Sequence, residues 1–325
     1  MKRFPLAVAV AAVVAGGVAH SYQMGIYDNG LLVPQVVHNG VGDTTAVGLI
    51  THGCPVTPQN PARVFWAFFD ENTKHLTDGF FPMTDKDVHA FVWANEAGQG
   101  LAGLTGYLTF FVDTDGDGAL TTSDVPCLAG EAFHVVAGDA DVAYKPVWPI
   151  DYVDTNGATG IPDLTSMDDV TITTLSAGAL QGDTLIMRYS VANGDSTDVV
   201  TWSADDVGGT GVEYTVNMFD DQENRKSVNV PFPKEEQNVI DPSTIVGRPA
   251  GFVNGFIEWT TPVPGADTDG DGLPNYPKGG NDNGNDGNGV VSYSVIRSAA
   301  FSARQTVVNP HAGTPVPVQP PAPGP

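Results

Sequence analysis

The sequence predicts an all-β protein made of two tandem antiparallel β-sandwich-like domains that arose by internal duplication. Apolar residues occur in strict alternation or in short runs, and not at helical spacing. Turn dipeptides such as NG, DG and GD separate these segments. Several segments of the first half also recur, in the same order, in the second half.

Two kinds of segment indicate strands. VEYTVNMF from Val212 and VSYSVI from Val291 alternate apolar and polar residues, which is typical of a strand with one buried face. VFWAFF from Val64 and YLTFFV from Tyr107 are apolar throughout, which is typical of buried strands. A sugar-binding platform is the alternative for the aromatic run at 65–69, but its continuity favours core packing.

The repeat is defined by paired features at nearly one offset. Asn39 pairs with Asn193 and Asp113 with Asp267, so that the second member of each pair lies 154 residues after the first (193 − 39 and 267 − 113). This offset is close to a common domain size. We therefore predict β domains at 22–150 and 165–310, a polar linker at 151–164 and a Pro-rich extended tail at 311–325.

The N-terminal residues predict a signal peptide. Lys2 and Arg3 precede a short apolar run that starts at Leu6, and a small-residue cleavage site ends at Ala19. The run is far shorter than the roughly 20 residues that span a bilayer. We therefore expect residues 1–19 to be removed and the protein to be secreted, held at the cell surface or kept in the periplasm, without membrane insertion.

The charge of the chain excludes one class of partner. The formal net charge is −24, which repels the phosphates of nucleic acid, so nucleic acid is not an expected partner. An acidic chain attracts divalent cations, although plain solubility also explains an acidic composition.

The chain has two cysteines, Cys54 and Cys127. In an oxidising compartment two cysteines usually pair, so we predict a Cys54–Cys127 disulfide. A metal-binding or catalytic thiol is the alternative, but no CxxC motif accompanies either residue.

The segment DTDGDGALTTSD, residues 113–124, fits the twelve-position calcium loop of EF-hands. Aspartates fill positions 1, 3 and 5, and Gly118 at position 6 allows the sharp turn. Four carboxylates around one hard cation replace its hydration shell, and the cation offsets their mutual repulsion. The alternative is an Asp-Gly turn without an ion. The predicted ligands are Asp113, Asp115, Asp117, the carbonyl of Ala119, Thr121 and Asp124.

A second acidic loop begins with the same six residues at Asp267. Lys278 occupies its twelfth position and cannot bind a cation, so oxygens from the Asn- and Asp-rich stretch 282–286 are needed to complete the set. The sequence thus predicts Ca²⁺ as the cofactor of both domains. The predicted ligands of the second loop are Asp267, Asp269, Asp271 and the carbonyl of Leu273.

The first loop resembles the calcium loop of dockerin modules, which also end in Asp. The likeness covers twelve residues, and Pro126 permits no long helix after the loop. The resemblance therefore implies an ion site and not cohesin binding. The loop at Asp267 resembles the irregular DxDxDG repeats of thrombospondin type 3. The chain as a whole resembles no family.

Other motifs give weaker predictions. GQGLAG at Gly98 spells the GxGxxG fingerprint, but an apparent strand follows it where dinucleotide binding requires a helix. The histidines are scattered without an HExxH motif, and a zinc or copper site at His89 and His134 remains an alternative. Without a GxSxG elbow or a comparable motif, we do not expect an enzyme.

Three function classes follow from these features. The leading prediction is a secreted, calcium-binding structural or adhesive surface protein that is a subunit of an extracellular assembly. Its partners are other copies of itself or a cell-surface or extracellular component. The second class is a carbohydrate-binding module, which needs an exposed aromatic strip to bind a glycan. The third is a secreted hydrolase. The candidates for an aromatic strip are Trp93, Trp148, Trp202 and Trp259.

Overall fold

A computed structural model provides the structure, and it describes residues 25–96, 100–152, 161, 163–172, 175–176, 184–204, 207–262 and 289–312. The predicted signal peptide, most of the predicted linker, the loop at Asp267 and the tail beyond residue 312 lie outside the described residues. Among the helices of the described segments, none has the length and apolar character needed to cross a membrane.

The described chain is all-β, as the sequence predicts. The strands of the first half are β1 (Gly30–Val36), β2 (His38–Gly40), β3 (Asp43–Thr51), β4 (Ala62–Asp70), β5 (His75–Met83), β6 (Val88–Val92), β7 (Gly106–Asp113), β8 (Leu128–Val136), β9 (Asp141–Lys145) and β10 (Trp148–Pro149). A short pair, β11 (Asp151–Tyr152) and β12 (Leu175–Ser176), follows.

The second half continues with antiparallel strands. These are β13 (Thr184–Ser190), β14 (Ser196–Ser203), β15 (Glu213–Asp220), β16 (Arg225–Pro231), β17 (Gln237–Ile240), β18 (Asn254–Thr260), β19 (Val290–Ser298), β20 (Ala303–Val308) and β21 (His311–Ala312). The helical segments are short: α1 (Trp93–Glu96), α2 (Asp169–Ile172) and 3-10 turns at Ala137–Asp139, Ala192–Gly194 and Pro242–Thr244.

The strands form four main sheets, two in each half, and the strand order of the first half recurs in the second. Sheet A has the order β6-β3-β8-β9, with β2 also paired to β3, and sheet B has the order β10-β1-β7-β4-β5. Sheet C (β17-β14-β19-β20) repeats the order of A, and sheet D (β21-β13-β18-β15-β16) repeats the order of B. The recurrence of nine strands in one arrangement is what an internal duplication predicts.

The turn after β4 and the turn after β15 show the same repeat in atomic detail. Oδ1 of Asp70 accepts hydrogen bonds from the backbone N–H groups two and four residues later, at 2.9 and 3.0 Å. Oδ1 of Asp220 accepts the equivalent bonds at 2.9 and 2.8 Å. Thr73 and Glu223 adopt the same left-handed backbone in these turns, with φ of 54° and 66°.

One glycine in each half is required by close backbone contact. A Cβ atom on Gly106, at the start of β7, would lie 2.0 Å from the carbonyl oxygen of Phe69. A Cβ atom on Gly255, near the start of β18, would lie 1.8 Å from the carbonyl oxygen of Phe219. The two strands therefore approach their neighbours in the same way, which only glycine permits.

The sheets stack in the order A, B, C, D around three apolar cores. The first core lies between A and B, and the third lies between C and D. The second, here called the middle core, lies between B and C and joins the two halves. Phe69 and Tyr107 of sheet B pack there with Trp202 of sheet C, and the rings of Tyr107 and Trp202 are 5.5 Å apart. Sheets B and C are thus buried on both faces.

Burial on both faces explains the sequence patterns. The segments 64–69 of β4 and 107–112 of β7 are apolar apart from Thr109 because sheet B has a core on each side, as predicted for these buried strands. The alternation of β19 has a different cause, since its serines are also buried. Oγ of Ser292 accepts a hydrogen bond from Asn309 at 2.8 Å, and Oγ of Ser294 donates one to Asn309 at 3.1 Å.

The segment between the halves contributes to the middle core. Ile161 and Leu164, which lie in the predicted linker, are buried there together with Met167, Ile172 and Leu175. The boundaries of the two domains remain predictions, because the halves share this core.

Polar groups also join the two halves. Nζ of the buried Lys145 donates to Oε1 of Gln35 at 2.6 Å and to the hydroxyl of Tyr293 at 3.5 Å. Nε2 of Gln237, in the second half, donates to the carbonyl oxygen of Gly106 at 2.9 Å. The first two bonds join β9 of sheet A to sheets B and C, and the last joins sheets B and C. All of them satisfy polar atoms that packing removes from water.

We expect the two halves to unfold together, because truncation of a middle-core side chain removes contacts from both. Trp202→Ala should lower the free energy of unfolding by about 3–5 kcal/mol and leave one transition in chemical denaturation followed by fluorescence and circular dichroism. Phe301→Ala is the matched control, since Phe301 is 82% exposed. Two separate transitions in the wild type would contradict a shared core.

Lys145 should give the stability a distinct pH dependence. Burial lowers the pKa of Lys145 from 10.5 to about 7, although the charge of Asp198 opposes the shift. The unfolded chain therefore binds more protons than the folded chain between these values, so the free energy of unfolding rises as pH increases from about 7 to 10.5. Lys145→Met should lose this rise, whereas Lys226→Met, on an exposed lysine, should keep it. Parallel slopes for Lys145→Met and the wild type would contradict the assignment.

Candidate metal centre

The first acidic loop joins β7 to β8, and it is held in place at its start and in its middle. Asp113 is the last residue of β7 and is fully buried. Leu120, in the middle of the loop, is buried in the middle core. Its backbone N–H donates to the carbonyl oxygen of Ile161 at 2.7 Å, and the N–H of Leu164 donates to the carbonyl oxygen of Gly118 at 3.0 Å. The loop is therefore bonded to the segment that connects the two halves.

Within the loop, carboxylates accept backbone hydrogen bonds in sequence. Asp113 accepts from the N–H groups of Gly116 at 2.5 Å and Gly118 at 3.0 Å. Oδ1 of Asp115 accepts from the backbone N–H of Asp117 at 3.2 Å, and Oδ1 of Asp117 accepts from the backbone N–H of Ala119 at 2.8 Å. Both glycines have a φ of 86°, so the predicted sharp turn at Gly118 is present and requires glycine.

This arrangement brings three of the predicted ligands together. One carboxylate oxygen from each of Asp113, Asp115 and Asp117 lies within 4.8 Å of the other two. Among the residues that the structure describes, no other group of histidine, cysteine or acidic side chains has this geometry. Asp113 is buried, whereas Asp115 and Asp117 are exposed, so the cluster opens to solvent on one side.

The carboxylates of the cluster repel one another. The backbone N–H of Asp117 alone would lower the pKa of Asp115, but partial burial and the charges of Asp124, Asp117 and Asp113 outweigh it and raise that pKa. A bound cation would remove this repulsion. A ligand set made only of oxygen donors, three of them carboxylates, is the kind that hard divalent cations such as calcium and magnesium prefer. The residues of the cluster therefore fit such an ion.

Arg63 is a component of the site that the sequence analysis missed. It lies directly opposite Asp113 in the pairing of β4 with β7. Its Nη2 forms an ion pair with Asp113 at 3.0 Å and also donates to the carbonyl oxygen of Gly116. The ion pair offsets part of the charge of Asp113, the buried carboxylate of the three-aspartate cluster. The pairing register of the two strands is the signal that identifies it.

Asp124, the predicted twelfth ligand, lies outside the three-carboxylate cluster. Its carboxylate accepts hydrogen bonds from the N–H of Thr114 at 2.7 Å and the N–H of Thr121 at 2.9 Å. Asp124 therefore closes the loop onto its first turn. The hydroxyl of Thr121 accepts from Ser123 at 3.1 Å. Thr121 and the carbonyl of Ala119 remain predicted ligands.

The chain after the loop differs from a dockerin module. Val125 and Pro126 lead directly to Cys127, and β8 begins at Leu128 with no helix between. The predicted ligands of the second loop, Asp267, Asp269, Asp271 and Leu273, lie outside the described residues. By sequence that loop falls between β18 and β19, which is the connection equivalent to β7–β8.

The predicted disulfide is present. Cys54 and Cys127 are bonded with a Cα–Cα distance of 5.3 Å, and both are buried in the first core. Cys127 lies three residues after Asp124, and its carbonyl oxygen accepts a hydrogen bond from the N–H of His52 at 3.0 Å. The bridge ties the end of the acidic loop to the segment that follows β3.

The other candidate sites have structural roles. Trp93, Trp148, Trp202 and Trp259 are all buried, so none of them forms an exposed strip for a glycan. The aromatic run of β4 packs in the first and middle cores. His89 stacks on Phe81 with ring centroids 3.9 Å apart. Nε2 of His134 forms a hydrogen bond with Oδ1 of Asp43 at 2.6 Å. The GQGLAG segment leads into β7, a strand and not a helix.

Comparison with known proteins gives no further assignment. No protein-family model, no curated protein and no solved structure matches this chain.

Calcium should raise the melting temperature of the protein, because the bound ion offsets the electrostatic repulsion among the three carboxylates. The double substitution Asp115→Asn with Asp117→Asn should abolish most of the shift, since both side chains are exposed and their loss leaves the fold intact. Asp221→Asn, on another exposed acidic residue, is the matched control. Calorimetry with millimolar calcium and with chelator measures the effect.

The same experiment has a pH arm. The ligands must be deprotonated to bind a cation, so the calcium-dependent shift should disappear as pH falls through the carboxylate range. The loss should begin above pH 3.8, because the pKa of Asp115 is raised from that value. A melting temperature that calcium leaves unchanged at pH 7 would contradict the metal site.

Proposed function

We propose that this chain is an exported calcium-binding structural or adhesive protein, which acts through its surfaces at a cell surface or in an extracellular assembly. The observation that carries the proposal is the attachment of the acidic loop to the junction of the two halves. Leu120 packs in the middle core, and the backbone of the loop bonds Ile161 and Leu164. An ion held by this loop would stiffen the junction, which is a mechanical role and not a catalytic one.

The electrostatics of the chain support this role. The net charge of −24 favours uptake of divalent cations from a calcium-rich extracellular medium. Cross-linking by a disulfide agrees with an oxidising compartment. Calcium at about 100 times its dissociation constant would add roughly 2.7 kcal/mol to the stability of the loop that binds it.

The two alternative functions have less support. A carbohydrate-binding module would need exposed aromatic rings, and all four tryptophans considered for that role are core residues. A secreted hydrolase would need convergent catalytic groups. The acidic cluster at the loop contacts an arginine and backbone N–H groups, which is an arrangement that holds a loop together.

We expect calcium to protect the junction against proteolysis. Cleavage between the halves should slow by about tenfold or more at saturating calcium, because the bound ion suppresses opening of the loop from the residues at 161–164. Asp115→Asn with Asp117→Asn should remove the protection, and Asp221→Asn should keep it. Fragment masses would locate the cuts. Cleavage at equal rates with calcium and with chelator would contradict the stiffening role.

The biological role has its own test. Mature protein in millimolar calcium would be sized, imaged by negative stain and applied to a glycan array. Association into ordered complexes would support the structural role. A strictly monomeric protein that binds one glycan tightly would favour the carbohydrate-binding alternative, and hydrolysis abolished by one carboxylate substitution would favour an enzyme.

A further inference from the structure

The outer face of sheet A is apolar, and within the described residues only its edges are covered, by α1 at Thr44 and by β20 beside Tyr144. Ile50, Val88 and Val142 on this face are 43%, 71% and 53% exposed. Beside them, the half-buried rings of Phe133 and Tyr144 lie 5.9 Å apart. We call the surface formed by Ile50, Val88, Phe133, Val135, Val142 and Tyr144 the A face.

The A face is poor in charge compared with the rest of the molecule. Side chains alternate along each strand, and the registers of β3, β6, β8 and β9 show which of them share this face. Among them, Glu131 is the one charged side chain. In a chain with a net charge of −24, a face with this single charge keeps the electrostatic cost low when another copy approaches it.

The second half shows what this type of face contacts. Thr45 in β3 and Thr197 in β14 are equivalent, because the hydroxyl of each accepts a backbone N–H at 2.9 Å from the end of the matching earlier strand, just after β1 in one case and at the last residue of β13 in the other. Five residues further on, Ile50 is therefore equivalent to Trp202. Trp202 is fully buried against sheet B in the middle core, whereas Ile50 faces solvent. The fold thus covers this face with another sheet in one half and leaves it open in the other.

The opposite end of the stack is mostly polar, apart from the stacked rings of Phe219 and Phe256 near one end of its strands. The matched turns at Asp70 and Asp220 make Phe65 of β4 equivalent to Thr215 of β15, which is exposed on the outer face of sheet D. Ala67 is likewise equivalent to Asn217. Stacked repeats usually end in a polar outer face. Sheet D has such an end, and sheet A does not.

We infer that the A face packs against the A face of a second copy of this chain, in a two-fold symmetric dimer. This inference rests on the proposed structural function and identifies one surface through which copies of the chain associate. Because D is polar, a head-to-tail stack of D on A would leave apolar side chains against polar ones. Two A faces bury apolar surface on both sides, and a two-fold contact between like faces closes at two copies.

Sedimentation velocity of the full mature protein in calcium, over a range of concentrations, tests the inference. The wild type should have twice the mass of one chain. Ile50→Lys with Val142→Lys should have the mass of one chain, because paired faces would bury four added positive charges against only two carboxylates, one Glu131 from each copy. The melting temperature of this variant at a concentration where the wild type is dissociated should match the wild type, since both side chains are exposed in the single chain.

The matched control is Thr215→Lys with Thr260→Lys, which adds the same charge to exposed positions of sheet D. This variant should remain a dimer. Its dissociation would indicate head-to-tail stacking and overturn the two-fold contact. A wild type that is monomeric at every concentration would also overturn it, and flotation of that monomer with phosphatidylcholine vesicles would assign the A face to lipid. An Ile50→Lys, Val142→Lys variant that assembles as well as the wild type would overturn this contact while leaving the structural function in place.

Discussion

The architecture depends on the burial of sheets B and C against each other. Each sheet already has one apolar face inside its own sandwich, and their second faces meet in the middle core. This contact explains why the central residues of β4 and β7 are almost all apolar, and why the amide nitrogen of Gln237 is enclosed with a hydrogen-bond partner. It also fixes the acidic loop, because Leu120 belongs to the same core. Disruption of the middle core would therefore affect the acidic loop, the connecting segment and both sandwiches together.

Much of the fold could be predicted from local pattern. Alternation and short apolar runs indicated strands, the repeated segments indicated a repeated topology, and two cysteines indicated a disulfide. The middle core could not be predicted, because an alternating strand does not show what covers its other face. The alternating pattern predicts Ser292 and Ser294 to face solvent, yet they are buried and bonded to Asn309. The polar composition around Ile161 and Leu164 predicts a linker, but both residues pack in the middle core.

The candidate site was predictable to the extent that it is local. Twelve consecutive residues determine where the aspartates and glycines fall, and the structure brings Asp113, Asp115 and Asp117 together as the spacing predicts. Arg63 could not be found this way, because it lies fifty residues earlier and reaches Asp113 only through the register of two strands (113 − 63). The bonds from Asp124 to backbone N–H groups are likewise a property of the closed loop, which the ligand pattern alone does not specify.

The disulfide makes the two halves unequal under tension. Cys54 and Cys127 are separated by 73 positions, so a force that pulls on the chain from outside this interval cannot extend the residues between them. At roughly 3.3–3.6 Å per extended residue, about 250 Å of contour length is withheld in the first half. The second half has no cysteine and therefore no such limit. In a load-bearing fibre the second sandwich would lengthen and recoil throughout, while the first would retain β4–β7 and the acidic loop, which lie between the two cysteines.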